Sequence, residues 1–278
     1  MLRLILAPLL VMGLLINPSM AQEPTRAINK IAGNVYRFQN NFHFSVFVIT
    51  SDGVVVSDPI NVDAATWLKA EIAKLTDQPI THLVYSHSHG DHASGGTSFG
   101  EVDTVIAQAN APASIAGVSP TTRFDDEMNF TVGGNRFELT YLGPGHGADL
   151  IAMVIRPENV GFIVDAVSAN RLPYRDFPGA NVDHWANQVR KVEALDFTVF
   201  APGHGGMGVK ADVTSGRVYM EELRAQVLAG LQAGRSVEEL SASVTMGKYK
   251  SWGSYEQWRA LNVQGMARYL LESGAVKK

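Results

Sequence analysis

The chain has 278 residues, with 23 Lys and Arg against 27 Asp and Glu, a formal charge of −4. This mild acidic excess excludes a surface built to track nucleic-acid phosphates, and a chain without cysteine has neither disulfides nor thiolate metal ligands. Any bound metal must therefore be held by imidazole and carboxylate, on a chain long enough to bury a sizeable core.

Residues 1–21 have the form of a signal peptide. Arg3 supplies the positive end, and Leu4 to Ile16 is an apolar stretch too short to span a bilayer comfortably. Asn17-Pro18 breaks any helix, and Ser19-Met20-Ala21 is a small-x-small cleavage site. Cleavage after Ala21 leaves residues 22–278 as the catalytic domain, periplasmic or secreted. No later segment is apolar over a membrane's width, so no membrane span is expected after cleavage.

Asn34 to Asp58 reads as β. Val46-Phe47-Val48-Ile49-Thr50 and Val54-Val55-Val56 are β-branched runs joined by the hairpin signal Ser51-Asp52-Gly53. Asp63 is placed to cap a helix from Ala64 to about Leu75, with Leu68, Ile72 and Leu75 on one face. His82 to Ser86 is a short buried strand running into His87. Phe137 to Leu142 is a strand that ends in Gly143-Pro144-Gly145-His146-Gly147. Ile151 to Ile155 and Val160 to Val164 follow, the second delivering Asp165. Asn181 or Asp183 caps a helix to Leu195, its inner side carrying Trp185, Val189 and Val192. Phe197 to Ala201 is a strand leading into Pro202-Gly203-His204-Gly205. Beyond Val213 the chain is helical, with capping boxes at Ser236/Glu239 and Ser254/Gln257. Strand, loop and helix recur, which predicts an α/β layered fold whose strand-end loops carry the chemistry.

Of the eight histidines, five follow predicted strands in turn-like loops: His87, His89, His92, His146 and His204. In His87-Ser88-His89-Gly90-Asp91-His92, alternate residues of an extended stretch point the same way, so His87 and His89 can face one ion. Asp91 and His92, where the chain turns, can address a second. Zinc suits such donors at about 2.0–2.2 Å.

The H-x-H-x-D-H segment, with His146, Asp165 and His204 following in order at strand ends, resembles the metallo-β-lactamase superfamily over nearly the whole mature chain. The resemblance implies a four-layer αββα sandwich with C-terminal helices and the site at one edge between the sheets. It implies two zinc ions, one on His87, His89 and His146, the other on Asp91, His92 and His204, with Asp165 bridging. Asp58, at the end of its strand, is the buried aspartate that braces the histidine loop in such proteins. A hydroxide held between the metals would attack a carbonyl while Asp91 orients it and passes on its proton. An aspartate bridge is similar to the glyoxalase-II-like and lactonase-like branch. The expected substrate is a small molecule with an ester, lactone, thioester or β-lactam-type carbonyl.

Substrate-facing candidates are Phe42, His43 and Phe44, as an aromatic wall before the long strand, and Arg171 and Tyr174, which follow the bridging aspartate. The C-terminal helices are placed to cap the pocket. The alternative is a mononuclear iron oxidoreductase of the persulfide dioxygenase type on the same fold, so iron is admissible in place of zinc.

Overall fold

The computed structural model of the chain describes residues 23–276, so the expected signal peptide lies outside the described residues. Within them, two sheets stack face to face. The first is formed in order by β1 (Arg26–Ala32), β2 (Val35–Asn40), β3 (His43–Thr50), β4 (Gly53–Ser57), β5 (Ile80–Val84), β6 (Thr104–Gln108) and β7 (Thr122–Phe124). The second runs β13 (Gly208–Val209), β12 (Val199–Pro202), β11 (Val160–Ile163), β10 (Ile151–Arg156), β9 (Asn135–Tyr141), β8 (Glu127–Val132). Helix α1 (Val62–Leu75) and a single turn, α2 (Gly90–Ala93), belong to the first half. The second half carries α3 (Val182–Ala194), α4 (Lys210–Gln232), α5 (Val237–Ser243) and α6 (Tyr255–Glu272).

The period-2 alternation of a strand explains the layering. Val46 and Val48 of β3 and Val55 of β4 point between the sheets, where they meet Phe137, Leu139, Ile151, Met153 and Phe162. Phe47, Val54 and Val56 point the other way, onto Leu68 and Ile72 of α1. In the second sheet Ala152, Val154, Ile163 and Phe200 face Trp185, Val189, Leu223, Val263 and Met266 from α3, α4 and α6. Strands buried on both faces explain why the sequence reads as continuous apolar runs. The result is a four-layer αββα sandwich, as the resemblance implies.

Local details depart from the sequence reading in two places. Asn61, not Asp63, caps α1: its side chain accepts from Ala64 N at 2.9 Å, while Asp63 lies in the first turn. Ser254 precedes α6 in the left-handed region (φ 64°) and makes no side-chain cap. The Ser236/Glu239 box forms as expected, and Asn181 caps α3 by accepting from His184 N. Leu75 is half exposed in the final turn of α1.

Strand direction decides where the chemistry collects. β4 and β5 are parallel, as are β11 and β12, and β9 runs with them because β10 is antiparallel to both β9 and β11. Their C-terminal ends, and the start of the antiparallel β3, open on one edge.

Candidate metal centre

Five loops converge there. β4 leads to Asp58, β5 through Tyr85 and Ser86 to His87, β9 to His146, β11 to Asp165 and β12 to His204. His89, at the start of α2, and Asp91 and His92 within it let one tight turn present three donors. Asp58 and Asp165 both adopt positive φ, 33° and 55°, an unusual backbone for a non-glycine residue and one that concentrates at functional sites.

The structure brings all seven sequence-predicted donors together. His87 Nε2, His92 Nε2 and His146 Nε2 lie 3.4, 3.5 and 3.1 Å from Asp165 Oδ2. His204 Nε2 lies 3.1 Å from Asp165 Oδ1. His89 Nδ1 is 3.1 Å from His146 Nε2, and His92 Nε2 is 3.1 Å from His204 Nε2. Donors bound at 2.0–2.2 Å around a tetrahedral ion stand about 3.3–3.6 Å apart. These spacings are those of ligand sets, divided by Asp165 into two.

Hydrogen bonding settles which nitrogens are free. Ser86 Oγ donates to Asp58 Oδ2 (2.6 Å), so it must accept from His87 Nδ1 (3.0 Å), leaving the His87 Nε2 lone pair aimed into the cluster. His87 Nε2 is buried and has no hydrogen-bond partner. His204 Nδ1 donates to the carbonyl of Phe42 at 2.8 Å, which again frees Nε2. His92 Nδ1 faces Asp58 Oδ2 at 3.5 Å. Asp58 also accepts from Ser86 N at 2.8 Å, so one buried carboxylate orients His87 through Ser86 and faces His92 across the same loop. Lone pairs converging without a donor to meet them fit a metal centre.

The electrostatics agree. Burial opposes the charged form of His92, but Asp165 and Asp58 outweigh it and hold its pKa well above the ordinary imidazole value. Burial likewise opposes ionised Asp165, and the surrounding imidazoles outweigh it, holding the carboxyl well below its ordinary range. Asp91 is also depressed, first by its hydrogen bond to His43. His89 is lowered by burial and by His87 and His146. The carboxylates demand positive charge beside them, and cations on neutral imidazoles satisfy that demand.

Three supporting residues were not anticipated from the sequence. Arg37, buried in β2, donates through Nη2 to Pro202 O (2.8 Å) and Gly205 O (2.7 Å), clamping the loop that carries His204. Burial lowers its pKa to about 10. Gln188 of α3, fully buried, accepts from His146 N (2.8 Å) and donates to Gly143 O (2.6 Å). Trp185 donates to Ala166 O (2.8 Å) and sets its ring edge-on to His146 at 4.8 Å. A lone arginine among the apolar residues of β2 was the available signal; Gln188 left none.

A cleft of about 600 Å³ opens on the cluster. Its far wall comes from the C-terminal helical part: Tyr219 and Met220 of α4, Trp252, and Trp258 of α6. Arg171 and Tyr174, the candidates that follow Asp165, are among its lining residues. The Arg171 guanidinium lies 4.7 Å over the Trp258 ring, its pKa lowered by burial alone. Phe42 lines the mouth and is largely exposed. Phe44 corrects the expectation of an aromatic wall. Alternation along β3 turns it away from the cleft, and its ring lies 3.7 Å from the Arg37 guanidinium. His43 also departs from a simple wall role, since its Nε2 is 3.3 Å from Asp91 Oδ2.

Comparison with known proteins bears on this arrangement. The model of the metallo-beta-lactamase superfamily matches residues 40–204. The 2,4-dinitroanisole O-demethylase subunit alpha of Nocardioides sp. (strain JS1661) is 26% identical over 197 residues, covering 67% of this chain and 58% of that one. Metallo-beta-lactamase IND-1 of Chryseobacterium indologenes is 29% identical over 177 residues, covering 58% of this chain and 70% of its own length. The solved structure of the stereoselective inverting sec-alkylsulfatase Pisa1 from Pseudomonas sp. superposes with a TM-score of 0.74 at 15% identity. It covers 88% of this chain and 50% of that chain.

Proposed function

This chain belongs to the metallo-beta-lactamase superfamily, and from that premise we propose that it is an exported, dinuclear zinc hydrolase of small molecules bearing an ester, lactone, thioester or β-lactam-type carbonyl. One observation carries the reading: four imidazoles, drawn from both sheets, stand with Nε2 3.1–3.5 Å from the Asp165 carboxylate, and Asp91 Oδ2 joins them 3.6 Å from His92 Nε2. His87, His89 and His146 would hold one ion, Asp91, His92 and His204 the other, and Asp165 would face both. When bound, the ions supply Lewis acidity and bring the pKa of a water to about 7.

The chain's own groups do the remainder. Asp91, with its side chain about half exposed to the cleft, is placed to orient the attacking water and to take its proton. Arg171, held flat on Trp258, is placed to meet a carbonyl or carboxylate of the substrate. Trp252, Trp258 and Tyr219 supply an apolar wall that excludes bulk water and accepts an aromatic or alkyl body. The relatives' names span 2,4-dinitroanisole, β-lactams and alkyl sulfates, and the apolar wall supports an amphiphilic substrate over a strongly polar one.

The test is turnover of a chromogenic lactone, thioester and cephalosporin panel, with chelation and zinc restoration. At least one substrate should turn over reversibly with metal. His89→Ala and Asp91→Ala should lose more than the roughly 10–100-fold that loss of a supporting partner costs, with circular dichroism unchanged. Near-wild-type rates in either variant, or one iron per chain in protein purified without added metal, would overturn the reading.

A further inference from the structure

Resting on the metal centre proposed above, we infer that His43 is itself a donor to the second cation, completing with Asp91, His92 and His204 a set of three imidazoles and one carboxylate. His43 lies far from the histidine motif in sequence, at the first residue of β3. Each of these four residues offers one donor atom, and the four atoms lie within 4.8 Å of one another. His43 Nε2 to Asp91 Oδ2 is 3.3 Å and His92 Nε2 to Asp91 Oδ2 is 3.6 Å, the edges expected between neighbouring donors on one ion, about 3.3–3.6 Å. The His43 ring stands edge-on to His204 and His92, with centroids 4.8 and 5.5 Å away. Three imidazoles turned edge-on around one point suit a shared cation better than a stacked aromatic core.

The backbone holds His43 in place from both sides. His204 Nδ1 donates to Phe42 O at 2.8 Å, and Phe44 N donates to Gly203 O at 2.9 Å. The loop carrying His204 therefore fixes the residues flanking His43, so little ordering is left for metal binding to accomplish. The rival role is a hydrogen bond that merely steadies Asp91. A glutamine separates the two, since its amide can donate to Asp91 but is a poor metal ligand.

The experiment is cobalt(II) titration of the purified full-length chain against a competing chromophoric chelator, with d–d absorption recorded, for wild type, His43→Ala and His43→Gln. Wild type should take two equivalents. Both variants should keep affinity for the first ion, lose affinity for the second by about 100-fold or more, and shift the second ion's d–d bands. Circular dichroism checks the fold, and the glutamine variant serves if the alanine variant is misfolded. Wild-type affinity and bands in either variant, or full rescue by glutamine, would overturn the role of His43 and leave the two-ion centre standing. Failure of wild type to take a second equivalent would overturn both.

Discussion

Gln188 shows how much of the centre depends on neutral side chains that never touch a ligand. Its oxygen accepts from His146 N and its nitrogen donates to Gly143 O, so one buried amide closes both ends of the loop on which His146 stands. The fit is tight: a Cβ added at Gly145 would sit 2.5 Å from Gln188 Oε1, which explains a glycine beside the histidine. Gln188→Ala strands one donor and one acceptor in the interior, at a cost of about 1–3 kcal/mol for each group left unpaired. It should also weaken the first ion by about 10–100-fold through loss of His146 orientation. Gln188→Glu retains the acceptor for His146 but sets a buried carboxylate oxygen against the Gly143 carbonyl, and should be at least as destabilising. Urea midpoints and chelator competition measure both effects, and an alanine variant equal to wild type would show the brace to be idle. Arg37 acts similarly on the other side, where Nη2 alone donates to both Pro202 O and Gly205 O.

Among the elements, helix starts distinguish local from tertiary control. The Ser236/Glu239 box sits before an α5 that is free to begin as its own sequence dictates, and Ser236 Oγ accepts from Glu239 N. Ser254 has the same sequence signature at α6, but the preceding turn is docked elsewhere. Gly253 N donates to Asn170 O (2.8 Å) and Leu172 N donates to Gly253 O (3.1 Å). That pairing sets the entry to α6 and leaves Ser254 at φ 64° with no cap. Ser236→Ala should cost about 0.5–2 kcal/mol, whereas Ser254→Ala should be nearly silent. Thermal or urea unfolding of the two variants checks this, and equal losses would refute the distinction. The same docking fastens the Arg171 segment to the base of α6, where Trp258 lies, so α6 shapes the cleft as well as covering the sheet.

Across the whole molecule the proposed centre would fasten the two sheets to each other. Asp58, His87, His89, Asp91 and His92 belong to the first half, His146, Asp165 and His204 to the second. Each ion held by both should stabilise the folded chain by about 2.7 kcal/mol at one hundred times its dissociation constant. For a chain of this size that corresponds to a melting temperature about 5–10 °C lower for each ion removed by chelation, recovered on adding zinc. An unchanged melting temperature would mean that the ions do not join the halves. The α/β character, the five strand-end histidines and the donors of His87 to His92 were legible in the sequence, because periodicity and donor chemistry are local properties, whereas Asp165 as a donor and the grouping of the seven came from the family resemblance. β1, β6, β7, β8 and β13 were not read, although β8 carries the alternation Met128, Phe130, Val132 and β6 is a short buried apolar run. What only the tertiary structure decided is which nitrogens face inward, that His43 joins Asp91, that Phe44 turns away, and that Arg37 and Gln188 brace the loops. Each of these depends on partners far along the chain, such as the 165 positions separating Arg37 from Pro202, and no local pattern records a contact made only when two sheets close on each other.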